Sequence, residues 1–123
     1  MKLIEEFYFS ATHVVPRLPR WHPCAHMHGH EYVVHLELLI IREQRVPSRA
    51  ARGCLDLTRF EQWVDKALNH SHLNGMTEVP IPVNIAEAIY KRWIGEIPEL
   101  TAVKVHEVTA VEYRPDSRRE GRL

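Results

Sequence analysis

Two cysteines, Cys24 and Cys54, are all that the 123 residues contain. So few suggest free thiols in a reducing compartment. Net charge is absent too: Lys and Arg balance Asp and Glu at 16 each, with a pI near 7.1. Composition therefore gives no electrostatic reason to expect nucleic acid or an anionic membrane as partner. No run of 18 or more apolar residues occurs and no signal peptide is visible, which makes a cytoplasmic protein the expectation. Internal repeats and low-complexity segments are missing as well. Histidine, by contrast, is abundant at nine residues. The rest, with 45% apolar and 26% charged residues, is the profile of one globular domain with a modest core.

The order of periodicities predicts the fold class. "KLIEEFYFSATH" alternates, with Leu3, Phe7, Phe9, Ala11 and His13 on one parity, as in a strand. A long loop, Val14 to Met27, follows and is a candidate functional loop. "HGHEYVVHLELLIIRE" is a second strand, in which Tyr32, Val34, Leu36, Leu38 and Ile40 share the parity of His28 and His30. Thr58 to Glu61 fits a capping box, and Phe60, Val64, Ala67 and Leu68 then fall on one helical face. A second helix, starting near Asn84 and ended by Pro98, buries Ile85, Ile89 and Trp93. "LTAVKVHEVTAVEYR" is the last strand, and a further one is possible around Gly53 to Leu57. The pattern is α+β: an antiparallel sheet with helices on one face. Residues 1–115 form the domain, and the polar "DSRREGRL", 116–123, forms a frayed tail.

"CAHMHGH", Cys24 to His30, carries the chemistry. Residues i and i+2 of a strand point the same way, about 7 Å apart at Cα. His28 and His30 can therefore converge on one ion. A zinc site needs a third nitrogen, and His13, at the end of the first strand, stands beside them if the two strands pair antiparallel. Gly29 between the ligands permits close approach. The competing reading makes His26, His28 and His30 solvated loop residues. Cys24 has three readings: a buried structural thiol, a fourth ligand closing the site, or a reactive thiolate. Cys54 reads as core. Glu107 lies on the apolar parity of the last strand, with Val103, Val105 and Val111. Either it reaches water at the sheet edge, or it accepts N–H bonds from a planar amidine-like ligand edge such as that of a pterin or guanine.

These stretches resemble, in order, the motifs of the 6-pyruvoyl-tetrahydropterin synthase / 6-carboxytetrahydropterin synthase (QueD) family. "FYFSATH" is similar to F-x-F-x-A-x-H, and "CAHMHGHEYVV" to C-x-x-x-H-G-H-x-(Y/F)-x-V. "GCLDLTRF", "LNHSHLN" and "VKVHEV" match three further motifs of that family. The resemblance implies a T-fold, a four-stranded antiparallel sheet with two helices. It implies trimers or hexamers with active sites between subunits. It also implies zinc on His13, His28 and His30, with Cys24 and His70 as acid/base residues and Glu107 as pterin anchor. The remaining histidines, His22, His26, His35, His72 and His106, become surface or structural residues. The implied substrate is 7,8-dihydroneopterin triphosphate, and the spacing leans towards the QueD branch over the biopterin branch.

The chain departs from the family pattern at four positions. Asn69 replaces the Asp that orients and charges the catalytic His. Ile81 and Val83 replace the Thr and Glu of P-T-x-E-N, and Val108 replaces a Thr after the anchor Glu. These changes put apolar groups where the family has hydroxyl or carboxylate. They leave two alternatives to the enzyme reading: a paralogue with a different pterin or purine-like substrate, and a non-catalytic zinc-binding protein.

Overall fold

The alternation of the first forty residues becomes one long antiparallel ladder. The computed structural model describes residues 1–40 and 55–108. β1, Lys2–His13, and β2, His28–Leu39, pair from Lys2↔Leu39 to His13↔His28. β4, Leu100–Val108, joins the other side of β2, also antiparallel, with Tyr32 opposite Glu107 and Val34 opposite Val105. The inward parity is the expected one. Phe7, Phe9 and Ala11 of β1 are buried, as are Tyr32, Val34, Leu36 and Leu38 of β2, with Ile40 just beyond. Burying side chains of this size contributes about 1.5–3 kcal/mol each, which pins the register, because a slip by one residue would turn every one of them outward.

The fourth strand is not where or what the sequence suggests. It is β3, Ser71–His72, two residues long and parallel to β1, so the sheet is mixed, in the order β3-β1-β2-β4. The chain comes off a helix onto the free edge of β1 and turns into a 3₁₀ turn at Leu73–Gly75, which leaves room for only two paired residues. Of the stretch proposed as a further strand, 55–57 forms none. Gly53, Cys54, the end of the second predicted strand, the last-strand residues after Val108 and the tail 116–123 lie outside the described residues.

The helices cover one face. α1, Thr58–Trp63, runs on into a π-helical turn, Val64–Leu68, closed by Asn69 N–H donating to the Val64 carbonyl at 2.8 Å. The wider i→i+5 turn explains why Ala67, expected inside, is exposed while Val64 and Leu68 stay buried. Thr58 is not the N-cap. Leu57 holds that position, and the Asp56 carboxylate accepts from both the Thr58 N–H and its hydroxyl. A carboxylate two residues earlier does the capping that the Thr58–Glu61 pattern promises. α2, Pro82–Trp93, buries Ile85, Ile89 and Trp93 as predicted, but starts at Pro82 and ends before Pro98. Its N-cap is Ile81, which makes no side-chain cap bond. Phe60 meets Phe7 at 4.9 Å and Trp93 at 5.3 Å between ring centroids, joining sheet to helices. Among the described residues no helix is long and apolar enough to cross a membrane.

The uncapped start of α2 gives a stability test. Ile81→Thr restores a hydroxyl able to accept from a first-turn N–H while keeping a branched side chain. An N-cap of this kind is worth about 0.5–2 kcal/mol, so the melting temperature should rise by a few degrees, as read by thermal denaturation. A lower melting temperature would mean that Ile81 packing outweighs the missing cap.

Candidate metal centre

The ladder puts the three histidines at one end of the β1–β2 pair. His13 and His28 are directly opposed, and His30 lies two residues along, opposite Ala11. All three side chains point to the helix-covered face, and one nitrogen from each lies within 4.8 Å of the others. The ring centroids are 4.5 to 5.0 Å apart. His13 is 1% exposed, while His28 and His30 are half-buried. A buried ligand at the floor and two at the rim make a site that opens on one side.

Hydrogen bonds assign the protons. His13 Nδ1 is 2.7 Å from the Pro80 carbonyl, and His28 Nδ1 is 2.7 Å from the His26 carbonyl. Carbonyl oxygens only accept, so both Nδ1 atoms carry hydrogen and both Nε2 atoms present lone pairs. Those two Nε2 atoms face each other at 2.9 Å. Two acceptors at that distance repel unless a proton or a cation lies between them. Burial, followed by the neighbouring His28 and His30, holds the His13 pKa below its usual value against the opposing Pro80 bond and Glu107 charge. A proton is therefore disfavoured and the neutral, ligand-competent ring favoured. Nitrogen ligands at about 2.0–2.1 Å in tetrahedral array stand about 3.3 Å apart, against 2.9 Å between the His13 and His28 nitrogens and at most 4.8 Å to that of His30. The three imidazoles thus fit a metal ion, with the second ring nitrogens of His13 and His28 held by backbone carbonyls as metal-binding histidines usually are.

The same strand end is clamped from below. Asn69 Oδ1 accepts from Ser10 N–H at 2.9 Å, and His70 N–H donates to the Ser10 carbonyl at 2.6 Å. Asn74 accepts from Val14 N–H and donates to the Val14 carbonyl, both at 2.9 Å. Two asparagines of one segment thus bracket His13. His70 itself is exposed and holds a left-handed φ of 63°, which is unusual for a residue with a Cβ. With Ser10, Thr12, Gly29, His30 and His72 it lines a cleft of about 580 Å³. A Cβ on Gly29 would meet only ordinary contacts, 3.6 Å to the Ala11 carbonyl, so Gly29 is not sterically required within this chain. Cys24 is half-buried in a 3₁₀ turn, Pro23–Ala25, and its carbonyl accepts from Val15 N–H, which ties the long loop to the strand end. Its sulfur is not part of the three-nitrogen cluster. Glu107 lies over the cluster, 3.8 Å from His30 Nε2 and 4.0 Å from His13 Nε2. Burial and the Glu107 charge raise the pKa of the adjacent Tyr32 well above its ordinary value.

A family model for 6-pyruvoyl tetrahydropterin synthase matches residues 2–120. The chain belongs to the 6-pyruvoyl tetrahydropterin synthase family. The fold is also that of a Caenorhabditis elegans 6-pyruvoyl tetrahydropterin synthase, with a TM-score of 0.62 at 18% identity, over 88% of this chain and 89% of that one. An uncharacterized protein from Wolinella succinogenes is similar, with a TM-score of 0.61 at 16% identity, over 90% and 94% of the two chains. The family's tetrahydropterin synthase fold and a three-histidine cluster able to hold a metal thus occur together here.

Sequence reasoning missed the carbonyls of Pro80 and His26 and the clamp by Asn74. Backbone acceptors leave no side-chain signature. His26 serves the centre through its carbonyl, while its ring bonds the Arg20 carbonyl at 2.6 Å. Zinc analysis of purified variants separates these roles. Wild type should hold about one zinc per chain, His28→Ala should lose it, and His26→Ala, which keeps the carbonyl, should retain it. Equal loss in both would refute the ligand assignment.

Proposed function

We propose that the chain is a zinc-dependent enzyme of the 6-carboxytetrahydropterin synthase type. It converts 7,8-dihydroneopterin triphosphate and water to 6-carboxytetrahydropterin, acetaldehyde and triphosphate, for the queuosine (7-deazaguanine) pathway. The observation that carries this reading is the three-histidine cluster, with bare Nε2 atoms on His13 and His28, beside the Glu107 carboxylate in a chain of this family. Zinc held by His13, His28 and His30 supplies a Lewis acid for the side-chain hydroxyls and the C–H beside them. Cys24 moves protons on one face of that side chain, and His70 on the other. Glu107 accepts the 2-amino and N3–H hydrogens of the pterin. Asn69 positions His70 through the Ser10 backbone, and the left-handed turn aims the imidazole outward. The cleft beside His30 and His70 is lined by the outward-facing residues Ser10, Thr12, Gly29 and Glu31 and includes neither His13, His28 nor Glu107, so it accounts for access to His70 and not for the pterin position. The enzyme works in the cytoplasm as a homo-oligomer, a trimer or hexamer, with active sites between subunits.

A second reading has an observation of its own. Val83 is 67% exposed and Val108 41% exposed, so these departures place apolar groups on the surface rather than in the core. That favours a paralogue taking a different pterin or purine-like substrate. Ile81 points less that way, because its position is the N-cap of α2. A non-catalytic zinc protein is the remaining alternative.

Product analysis after incubation with 7,8-dihydroneopterin triphosphate decides between them. The proposal expects acetaldehyde and triphosphate in equal amounts. Triphosphate without acetaldehyde would indicate a 6-pyruvoyl-tetrahydropterin product, and neither would favour the paralogue or the non-catalytic protein. Cys24→Ala should keep zinc and lose at least about 100-fold in turnover, the scale of a positioned acid/base.

A further inference from the structure

Glu107 continues the inward parity of Val103 and Val105 on β4, opposite Tyr32. Its carboxylate accepts no hydrogen bond among the described residues. Among the described residues it lies 3.8 Å from His30 Nε2 and 4.0 Å from His13 Nε2. In the neutral ring, the Nδ1 bond to Pro80 leaves His13 Nε2 with a lone pair. An anion aimed at an acceptor is an unfavourable pairing in itself, and a divalent cation among these atoms reverses its sign. The geometry is close to what such a cation requires. Tetrahedral ligands at about 2.0–2.2 Å stand about 3.3 Å apart, so the separations of 3.8 Å from Oε1 to His30 and 4.0 Å from Oε2 to His13 are long by roughly 0.5 and 0.7 Å. The side chain is 34% exposed and has room to close that gap.

We propose that Glu107 is a movable ligand of the metal. In the ligand-free chain its carboxylate takes the fourth position. An arriving pterin draws it off, because the 2-amino and N3–H hydrogens offer two charge-assisted bonds in a plane that matches a carboxylate. The position it leaves then faces the substrate's side chain. This rests on the pterin reading above and adds an order of events: the metal stays closed to water until the ring is bound. Glu107 thereby couples recognition of the ring to exposure of the metal, which a fixed anchor at a distance would not do.

Cobalt reports the coordination directly. The full chain, stripped with a chelator and reloaded with Co²⁺, is compared with Glu107→Gln for its visible d–d bands and for Co²⁺ affinity by chelator competition. Dihydroneopterin, without phosphates, is then added, and its binding is followed separately by calorimetry. Wild type should show the intense bands of a four-coordinate site, which shift when dihydroneopterin binds. Glu107→Gln should bind Co²⁺ about tenfold or more weakly, at least the loss seen when a ligand's own partner is removed, with bands that already differ before any pterin. Identical bands and affinity in the two proteins would overturn the proposal. Dihydroneopterin that binds wild type without changing the bands would overturn the exchange while the pterin reading stands. Failure of dihydroneopterin to bind, with Co²⁺ affinity still lowered in Glu107→Gln, would overturn the pterin reading and the exchange but uphold ligation by Glu107. If circular dichroism shows Glu107→Gln misfolded, Glu107→Asp takes its place: its shorter carboxylate should likewise alter the bands before any pterin, and bands and affinity equal to wild type would overturn the proposal.

Discussion

The hydrogen bond from His13 Nδ1 to the Pro80 carbonyl, at 2.7 Å, joins the end of β1 to the entry of α2 and fixes which nitrogen of the buried imidazole is bare. With the matching bond from His28 to the His26 carbonyl, it sets two Nε2 lone pairs against each other at 2.9 Å. A cation between the two nitrogens relieves that repulsion. The fold around it supplies rigidity. The β1–β2 ladder fixes His13 opposite His28, and burial of Phe9, Ala11, Tyr32 and Val34 fixes the ladder. Asn69 and Asn74 hold Ser10 and Val14 on either side of His13. A centre assembled from strands and clamped backbone keeps its geometry better than one carried on a loop.

The same clamp gives the departure at Asn69 a structural meaning. Its oxygen is engaged by Ser10 N–H, and a carboxylate in its place would accept the same bond. The backbone geometry of His70, including its left-handed φ, is therefore compatible with either residue. What an Asp would add is charge near the exposed imidazole, which matters only in a reaction that makes that ring cationic.

The long strands and the inward parity were legible because an alternating pattern with a single buried face has one solution. The pairing of His13 with His28 followed from an antiparallel ladder, and the outlier Glu107 was visible as a carboxylate among valines. The short parallel β3 was not legible: two residues carry no periodicity, and their pairing depends on Asn69 and His70 docking on Ser10. The π-helical turn was hidden because Phe60, Val64, Ala67 and Leu68 fit an ordinary helix, and only the Asn69–Val64 bond widens it. The start of α2 was misplaced because Ile81 gives no capping signal, although Pro82 at the first helical position does mark a start. The carbonyls that set the tautomers were beyond the reach of any side-chain pattern.

X-ray absorption on the zinc-loaded chain tests the centre most directly. Ligation by His13, His28 and His30 predicts imidazole scattering from three rings at about 2.0–2.1 Å, with any fourth ligand a light atom at similar distance. A sulfur at about 2.3 Å would contradict it. Cys24 would then close the site, and the account of a three-nitrogen centre with an exchangeable position would fail.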